Sequence, residues 1–336
     1  MSMKKVLVVR CGALGDLVYA TSVIDALLME YGKETIIDFV CTPGSGKLFR
    51  NDPRIDKVFN LKHKKIPLML SLEKRKIVQY SKQNNYDLLI NFEFGKQFKD
   101  LLTSIQAKEK IGAQFNTVES NSKINRGEAQ KLLLKPKISQ KNLQKAYPSV
   151  HTLTKEQIDK KFNLQQEYIV LSPSNSHVNC SGINHRAWDN YAWHNLINQL
   201  SKKIQLVIVG TKNEERFFDQ LRPFPTNTLD LVGKNSIEEL CSVVKYAKGV
   251  ICTDSAVGHI AAAVNTPVFV LMGPNNPATD SPYQSPYNQV HIISANLDCS
   301  PCYKTEVMKQ CKDNICMHQI SVAMVMNELK SHLQLD

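Results

Sequence analysis

The sequence predicts a two-domain α/β protein, each half built on a doubly wound parallel sheet. Three observations lead there. The chain has 336 residues, more than one ordinary core uses and suited to two domains. Short apolar runs of the kind that form strands covered on both faces alternate with helical patterns. That alternation occurs twice, with a polar, Lys-rich, irregular stretch between the two halves.

In the first half, Lys5-Val6-Leu7-Val8-Val9 is the opening strand. Gly12-Ala13-Leu14-Gly15-Asp16 turns the chain, and residues 17–31 carry apolar positions at helical spacing. A second strand is expected over 35–41, a helical stretch over 68–83 and another strand over 86–92. Residues 116–145 are expected to form surface loops and short helices near the interdomain region. The second half opens with a strand at Tyr168–Ser172 that ends in Pro173. A helix follows over 189–200, a strand over 205–210, a helix over 214–221 and a helix over 236–248 that a Ser-x-x-Glu pattern caps. Strands over 249–253 and 267–272 enclose a helix over 258–264, and a last helix is expected over 320–333. The expected domains are residues 1–160 and 161–336. Ligands bind at the carboxyl ends of such sheets, so an interdomain cleft is the expected site.

Apolar residues make up 43% and charged residues 22% of the chain, the balance of a folded globular protein. No run of about 18 uncharged apolar residues occurs, so no transmembrane helix is expected. The chain enters its first strand with no signal-peptide pattern, which makes the cytoplasm the expected location. The formal charge is +11, from 42 Lys and Arg against 31 Asp and Glu. Such a surface favours an anionic partner. No nucleic-acid motif or aromatic-basic stripe is present, so nucleic acid is not the expected one. Of nine cysteines, Cys11, Cys41, Cys180, Cys241 and Cys252 are scattered and read as buried free thiols of a cytosolic protein.

Four polar loops stand at four expected strand ends. The loop Gly12-Ala13-Leu14-Gly15-Asp16 lets the backbone turn and approach a ligand. It lacks the Gly-x-Gly-x-x-Gly spacing of a dinucleotide site. Asp16 at the helix start has an ordinary reading as an acid complementing the helix dipole. The run Thr253-Asp254-Ser255-Ala256-Val257-Gly258-His259 passes from a strand into an apolar helix. Open N–H groups there, the Ser255 hydroxyl and His259 one turn on suit a diphosphate. Capping by Asp254 and a packed His259 are the ordinary alternative. Ser174, in Ser172-Pro173-Ser174-Asn175-Ser176, and Arg186 supply a hydroxyl and a cation of the kind that hold phosphate, against a plain solvated loop. Glu214, in Gly210-Thr211-Lys212-Asn213-Glu214, can accept from ribose hydroxyls or simply start a helix.

The sequence resembles glycosyltransferase family 9, the ADP-heptose:lipopolysaccharide heptosyltransferases. The family's opening strand, Ser-Ala-Leu-Gly-Asp and helix correspond to Arg10-Cys11-Gly12-Ala13-Leu14-Gly15-Asp16. Its Lys-x-Trp element corresponds to Arg186-Ala187-Trp188. Its Asp-Thr-Gly-Leu-x-His-x-Ala-Ala, followed by a strand and Gly-Pro, corresponds to Asp254 through Ala262 and then Phe269 through Pro274. Its Cys-x-Pro-Cys and Cys-Met correspond to Cys299-Ser300-Pro301-Cys302 and Cys316-Met317. Three departures occur: Ser255 for Thr, Ala256 for Gly, and Arg186 for Lys. Ala256 adds a Cβ and disfavours positive φ, and Arg is not geometrically equivalent to Lys.

The resemblance implies a GT-B fold: two Rossmann-like domains facing a cleft, the N-terminal one taking the acceptor and the C-terminal one the nucleotide sugar. It implies inverting transfer of heptose from ADP-heptose to an anionic lipopolysaccharide inner-core acceptor, with Asp16 as general base. Ser174, Arg186, Asp254, Ser255, Ala256 and His259 would hold the diphosphate, and Glu214, with Glu215 as a neighbouring competitor, the ribose. No cofactor and no catalytic metal are expected. Peripheral contact with the inner membrane face is expected through salt-screened charge, with no apolar anchor apparent. The alternatives are a different nucleotide sugar or acceptor within the family, or a member that only binds. An epimerase would show Tyr-x-x-x-Lys, yet Val307 stands four residues after Tyr303. The last four cysteines, Cys299, Cys302, Cys311 and Cys316, are either a tetrahedral zinc set or reduced thiols in a structured loop.

Overall fold

A computed structural model describes residues 4–62, 65–116, 123–164 and 166–335. It contains two compact units, Met1–His151 and Thr152–Asp336. A boundary at residue 160 would cut the helix Lys155–Phe162.

The first unit comprises β1 (Lys5–Val9), α1 (Leu14–Ala20), α2 (Ser22–Tyr31), β2 (Ile36–Cys41), β3 (Lys57–Asn60), α3 (Leu72–Asn84), β4 (Tyr86–Asn91), α4 (Lys99–Ser104), β5 (Ala107–Gly112), α5 (Arg126–Leu132) and α6 (Gln140–Lys145). Its five parallel strands lie in the order β3-β2-β1-β4-β5. The direction of winding reverses between β1 and β4, where Val9 pairs with Asn91. Val6, Leu7, Val8 and Val9 are fully buried, as a central strand requires. Each such side chain contributes about 1.5–3 kcal/mol by leaving water.

The second unit comprises α7 (Lys155–Phe162), β6 (Tyr168–Ser172), α8 (Asn190–Leu200), β7 (Gln205–Ile208), α9 (Glu215–Phe218), β8 (Thr228–Asp230), α10 (Ile237–Lys245), β9 (Gly249–Thr253), α11 (Ala256–Ala263), β10 (Val268–Leu271), α12 (Pro277–Asp280), β11 (Val290–Ile293), α13 (Glu306–Gln310), α14 (Ile315–His318) and α15 (Val322–Leu333). Six parallel strands run in the order β11-β10-β9-β6-β7-β8. Here the winding reverses between β6 and β9, where Ser172 pairs with Cys252. Trp188, Trp193, Phe218, Phe269 and Met317 fill the core beneath α8 and α15.

The departures from the sequence reading have local causes. The single helix expected over 17–31 is two helices. Thr21 Oγ1 donates to the Val18 carbonyl at 2.6 Å and Ser22 Oγ to that of Tyr19 at 3.1 Å. Hydroxyls that bond back to the preceding turn compete with the helical ladder and bend it. The helix expected over 214–221 is a short 3-10 turn, Lys212–Glu214, followed by α9. Cys180 is exposed, unlike the buried Cys11, Cys41, Cys241 and Cys252. Strands β3, β5, β8 and β11 escaped the pattern. β3 and β8 are short and carry no fully buried residue, so continuous apolarity does not mark them. Part of the irregular middle stretch, residues 117–122, lies outside the described residues. No described helix is long and apolar enough to cross a membrane.

Candidate functional site

In an open parallel sheet the loops part where the winding reverses, leaving a crevice at the carboxyl ends of two strands. Each unit has one such point; Asp16 stands at the first and Ser174, Arg186, Asp254 and Ser255 at the second, while Glu214 follows the neighbouring β7.

In the first unit the point lies beyond β1 and β4. Asp16 stands in the first turn of α1. Its Oδ2 accepts the Ala13 N–H at 3.2 Å, and its Oδ1 meets Arg10 Nη2 at 2.8 Å. The capping contact anticipated for a helix-start acid is therefore present, together with an ion pair that such a role does not need. The carboxylate is one-third exposed. Arg10 also reaches Glu93 Oε1 at 3.2 Å, and that oxygen accepts the Cys11 N–H at 2.7 Å. Glu93 is buried and leaves the β4 end of the same reversal. Gly12 is the small residue this arrangement demands: a Cβ there would lie 2.8 Å from the Cβ and Oδ2 of Asp16. Gly15 is buried within α1.

In the second unit the point lies beyond β6 and β9. Ser174 is buried, and its carbonyl accepts Thr253 Oγ1 at 3.2 Å, joining the two loops. Arg186 Nε lies 3.5 Å from Asp254 Oδ2. The Arg186 guanidinium stacks 4.5 Å over the Tyr303 ring. Asp254 Oδ2 also accepts from Asn275 Nδ2. The N-cap of α11 is Ser255, in extended conformation and with no side-chain capping bond, so the first-turn N–H groups keep room for an anion. Ala256 is the first helical residue, and its φ is not positive. The strain expected from replacing the family's Gly therefore does not arise. His259 is half-buried on the next turn of α11.

Two buried side-chain atoms beside these groups, Asn175 Nδ2 and Asn275 Oδ1, have no hydrogen-bond partner. Buried polar groups left open are costly, and a ligand is one way of satisfying them. His177 Nε2 lies 3.5 Å from the Tyr303 hydroxyl. Burial, with Arg186 and Lys304 nearby, holds the His177 imidazole below its ordinary pKa.

Glu214 follows β7, beside β6. Its Oε2 accepts the Thr211 N–H at 2.6 Å, and Asn179 Nδ2 bonds the Asn213 carbonyl at 2.7 Å, drawing this loop to the one after β6. Glu215 is paired with Arg222 at 2.7 Å. Of the two acids, Glu214 is the one without an ion pair at the strand end.

The cysteine-bearing segment forms a wall of this site. Cys302 N and Tyr303 N both donate to the Pro274 carbonyl, at 2.8 and 2.9 Å. Asn314 Nδ2 reaches the Ala187 carbonyl at 3.3 Å. Gly273 must lack a side chain, because a Cβ would lie 2.7 Å from Met317 Sδ and 2.8 Å from Cys316 Sγ. Burial pushes the Cys316 thiol up to about 11, with the neighbouring thiols Cys302, Cys299 and Cys311 adding to the rise. Cys302 is raised by burial and by Cys299 and Cys311. Among the described residues, the group of three that brings a potential metal-ligand atom from each within 4.8 Å is instead His291, Glu328 and His332. There the two imidazoles pack with centroids 3.9 Å apart, and His291 stacks on Phe269, which is how β11 meets α15.

Sequence reasoning missed Arg10, Glu93, Asn175, His177, Asn275 and Tyr303 as site residues. The signal available for Arg10 and Asn175 was position, since Arg10 follows an expected strand end directly and Asn175 lies three residues beyond another. Glu93, Asn275 and Tyr303 depend on which loops the sheet order brings together.

The chain matches Glycosyltransferase family 9 (heptosyltransferase) over residues 125–312. It is 23% identical to lipopolysaccharide heptosyltransferase 3 of Escherichia coli over 302 residues, covering 82% of this chain and 84% of that protein. The glycosyl transferase family 9 structure from Veillonella parvula DSM 2008 superposes with a TM-score of 0.81 at 14% identity, over 99% of this chain and 98% of that one. E. coli heptosyltransferase WaaC with ADP superposes with a TM-score of 0.68 at 18% identity, over 98% and 99%. The fold is GT-B, built from two Rossmann-like units. With residues 125–312 matched, more than half of its length, the chain belongs to glycosyltransferase family 9, the heptosyltransferase family.

Proposed function

We propose that this protein transfers heptose from ADP-heptose to an anionic lipopolysaccharide inner-core acceptor, with inversion at the anomeric carbon and without a catalytic metal. The observation that carries this reading is the second reversal: Arg186, the uncapped start of α11 and the unsatisfied atoms of Asn175 and Asn275 converge where a diphosphate would be held. Similarity to a lipopolysaccharide heptosyltransferase and to heptosyltransferase WaaC with ADP supports the donor and acceptor classes.

In the reaction, the acceptor hydroxyl oxygen attacks the anomeric carbon from the face opposite the nucleotide. The bond from that carbon to the phosphate oxygen breaks, and ADP leaves with the electron pair. The acceptor proton passes to the Asp16 carboxylate. Arg10, tied to Glu93, orients that carboxylate in the acceptor domain. In the donor domain, Arg186, the Ser255 hydroxyl and the α11 amides stabilise the charge that grows on the diphosphate. Asp254 serves as a positioning residue: with Asn275 it fixes the guanidinium from one side, while Tyr303 supports it from the other. Ser174 and His259 line the same loops, and Glu214 accepts from the ribose. The protein acts from the cytoplasmic face of the inner membrane, where the acceptor is held.

Calorimetric titration of ADP, UDP and GDP tests the donor site. ADP binds at least about tenfold more tightly, roughly 1.4 kcal/mol, because a site built for one base leaves polar groups unpaired with another. Arg186→Ala weakens ADP without lowering the melting temperature. Tighter binding of UDP or GDP removes the heptose assignment, and unchanged ADP affinity in Arg186→Ala moves the donor site elsewhere.

A further inference from the structure

Four large apolar side chains stand in solvent within seven residues of one another in the first unit. Ile66, Met69, Leu70 and Leu72 are 37%, 82%, 76% and 64% exposed. They lie between β3 and α3, around the 3-10 turn Leu68–Leu70. Their exposure is built in. The Leu68 N–H donates to Asp100 Oδ2 at 2.5 Å, and the buried Lys74 ties the start of α3 to Asp100 at 2.7 Å and to the Gln97 carbonyl at 2.9 Å. Ser71 caps α3. The backbone is thus held in place while the apolar side chains point away from the core.

The charge around this patch is one-sided. From residue 62 to 76 the sequence carries Lys62, Lys64, Lys65, Arg75 and Lys76 against the single acid Glu73, the buried Lys74 being paired with Asp100. Lys62, Lys65, Arg75 and Lys76 are exposed, as are Lys96 and Lys99 on the segment that Lys74 and Leu68 bind. An apolar turn bracketed by cations matches an interface whose surface is anionic and whose interior is hydrocarbon. It suits a protein partner poorly. A stable protein interface needs about 800 Å² per side, which four side chains do not supply, and lysine is depleted from interface cores.

We propose that the Ile66–Leu72 turn inserts into the surface of an anionic phospholipid bilayer while the surrounding Lys and Arg side chains pair with its headgroups. This rests on the reading that the acceptor is lipid-held, and it names the surface through which the acceptor domain meets that lipid. Because part of the attachment is apolar, it is screened by salt only in part.

The test is co-flotation of the full chain with vesicles of phosphatidylcholine, with and without one-third phosphatidylglycerol. Wild-type protein is expected to float with the anionic vesicles and to keep a measurable fraction bound at about 0.5 M salt, where surface charge is largely screened. Met69→Gln/Leu70→Gln is expected to lose at least about tenfold in vesicle affinity and all of the salt-resistant fraction. Both substituted side chains are exposed, so ADP affinity and melting temperature stay at wild-type values. Equal flotation of the double variant, or no preference for anionic vesicles, overturns the proposal. So does a wild-type dimer that the double variant dissociates without any change in vesicle binding. Transfer to a delipidated, water-soluble acceptor separates this from the enzymatic reading. If wild type fails that assay but binds vesicles as described, the reaction assignment falls and the docking surface stands. If both proteins transfer heptose equally while only wild type floats, both stand.

Discussion

Asp16 carries two contacts at once, a capping bond to Ala13 and an ion pair with Arg10. A carboxylate that only started a helix would need the first and not the second. Arg10 is in turn held by Glu93, which is buried and leaves the neighbouring β4. The chain therefore devotes a partly buried cation and a second acid to orienting one half-buried carboxylate. Replacing Asp16 with Asn keeps its shape and its capping oxygen but removes the carboxylate proposed to accept the proton. Turnover of Asp16→Asn should fall by about two to four decades, the usual scale for a general base, while ADP affinity and melting temperature hold. Steady-state rates with calorimetry check this, and a near-wild-type rate would reduce Asp16 to a helix-start acid.

Among the elements, α11 shows how a departure from a family pattern can be neutral. A glycine is needed where φ is positive or where a neighbour crowds in. Ala256 does not meet the first condition, since it opens α11 and its φ is not positive. Ala256→Gly should therefore cost about 0.5–1 kcal/mol of stability, the usual entropic penalty of glycine in a helix. ADP affinity should stay within about twofold. Denaturant titration and calorimetry measure both, and a large gain in ADP affinity would show that the Ala256 Cβ obstructs the phosphates. The same element shows what was legible in the sequence. An apolar strand running into Asp254-Ser255 and an alanine-rich helix announced β9, the turn and α11. The capping partner was misassigned, since the N-cap is Ser255 and Asp254 faces Arg186 and Asn275. Those contacts depend on β6 lying beside β9, and nothing local to either strand encodes that adjacency. Glu93 was invisible for the same reason: its value comes from β4 lying beside β1. The helix expected over 68–83 begins only at Leu72, because periodicity alone does not reveal that Ser71 caps α3 and leaves Leu68 and Leu70 outside it.

At the scale of the whole molecule, two imidazoles among the described residues are held toward their neutral form by their surroundings. His177 lies below its ordinary value of 6.5 chiefly through burial, with Arg186 and Lys304 adding to it. Burial and His332 do the same for His291. The unfolded chain binds protons at these positions more readily than the folded one, so stability rises with pH through this range. It should be flat above about pH 7 and decline as pH falls through about 6.5, before the carboxylates protonate. Scanning calorimetry of the wild type and of His177→Gln/His291→Phe tests this: the double variant should show a shallower decline, and an identical slope would place its origin elsewhere. Heptose transfer is the reaction proposed for this chain. Its most direct test is to incubate the protein with ADP-heptose and a heptose-deficient inner-core acceptor, then to follow the acceptor mass, the anomeric configuration of the new bond and the ADP released. The proposed reaction adds one heptose per ADP released, with inversion, in the presence of a chelator. An unmodified acceptor, retention of configuration, or turnover only with another nucleotide sugar would contradict it.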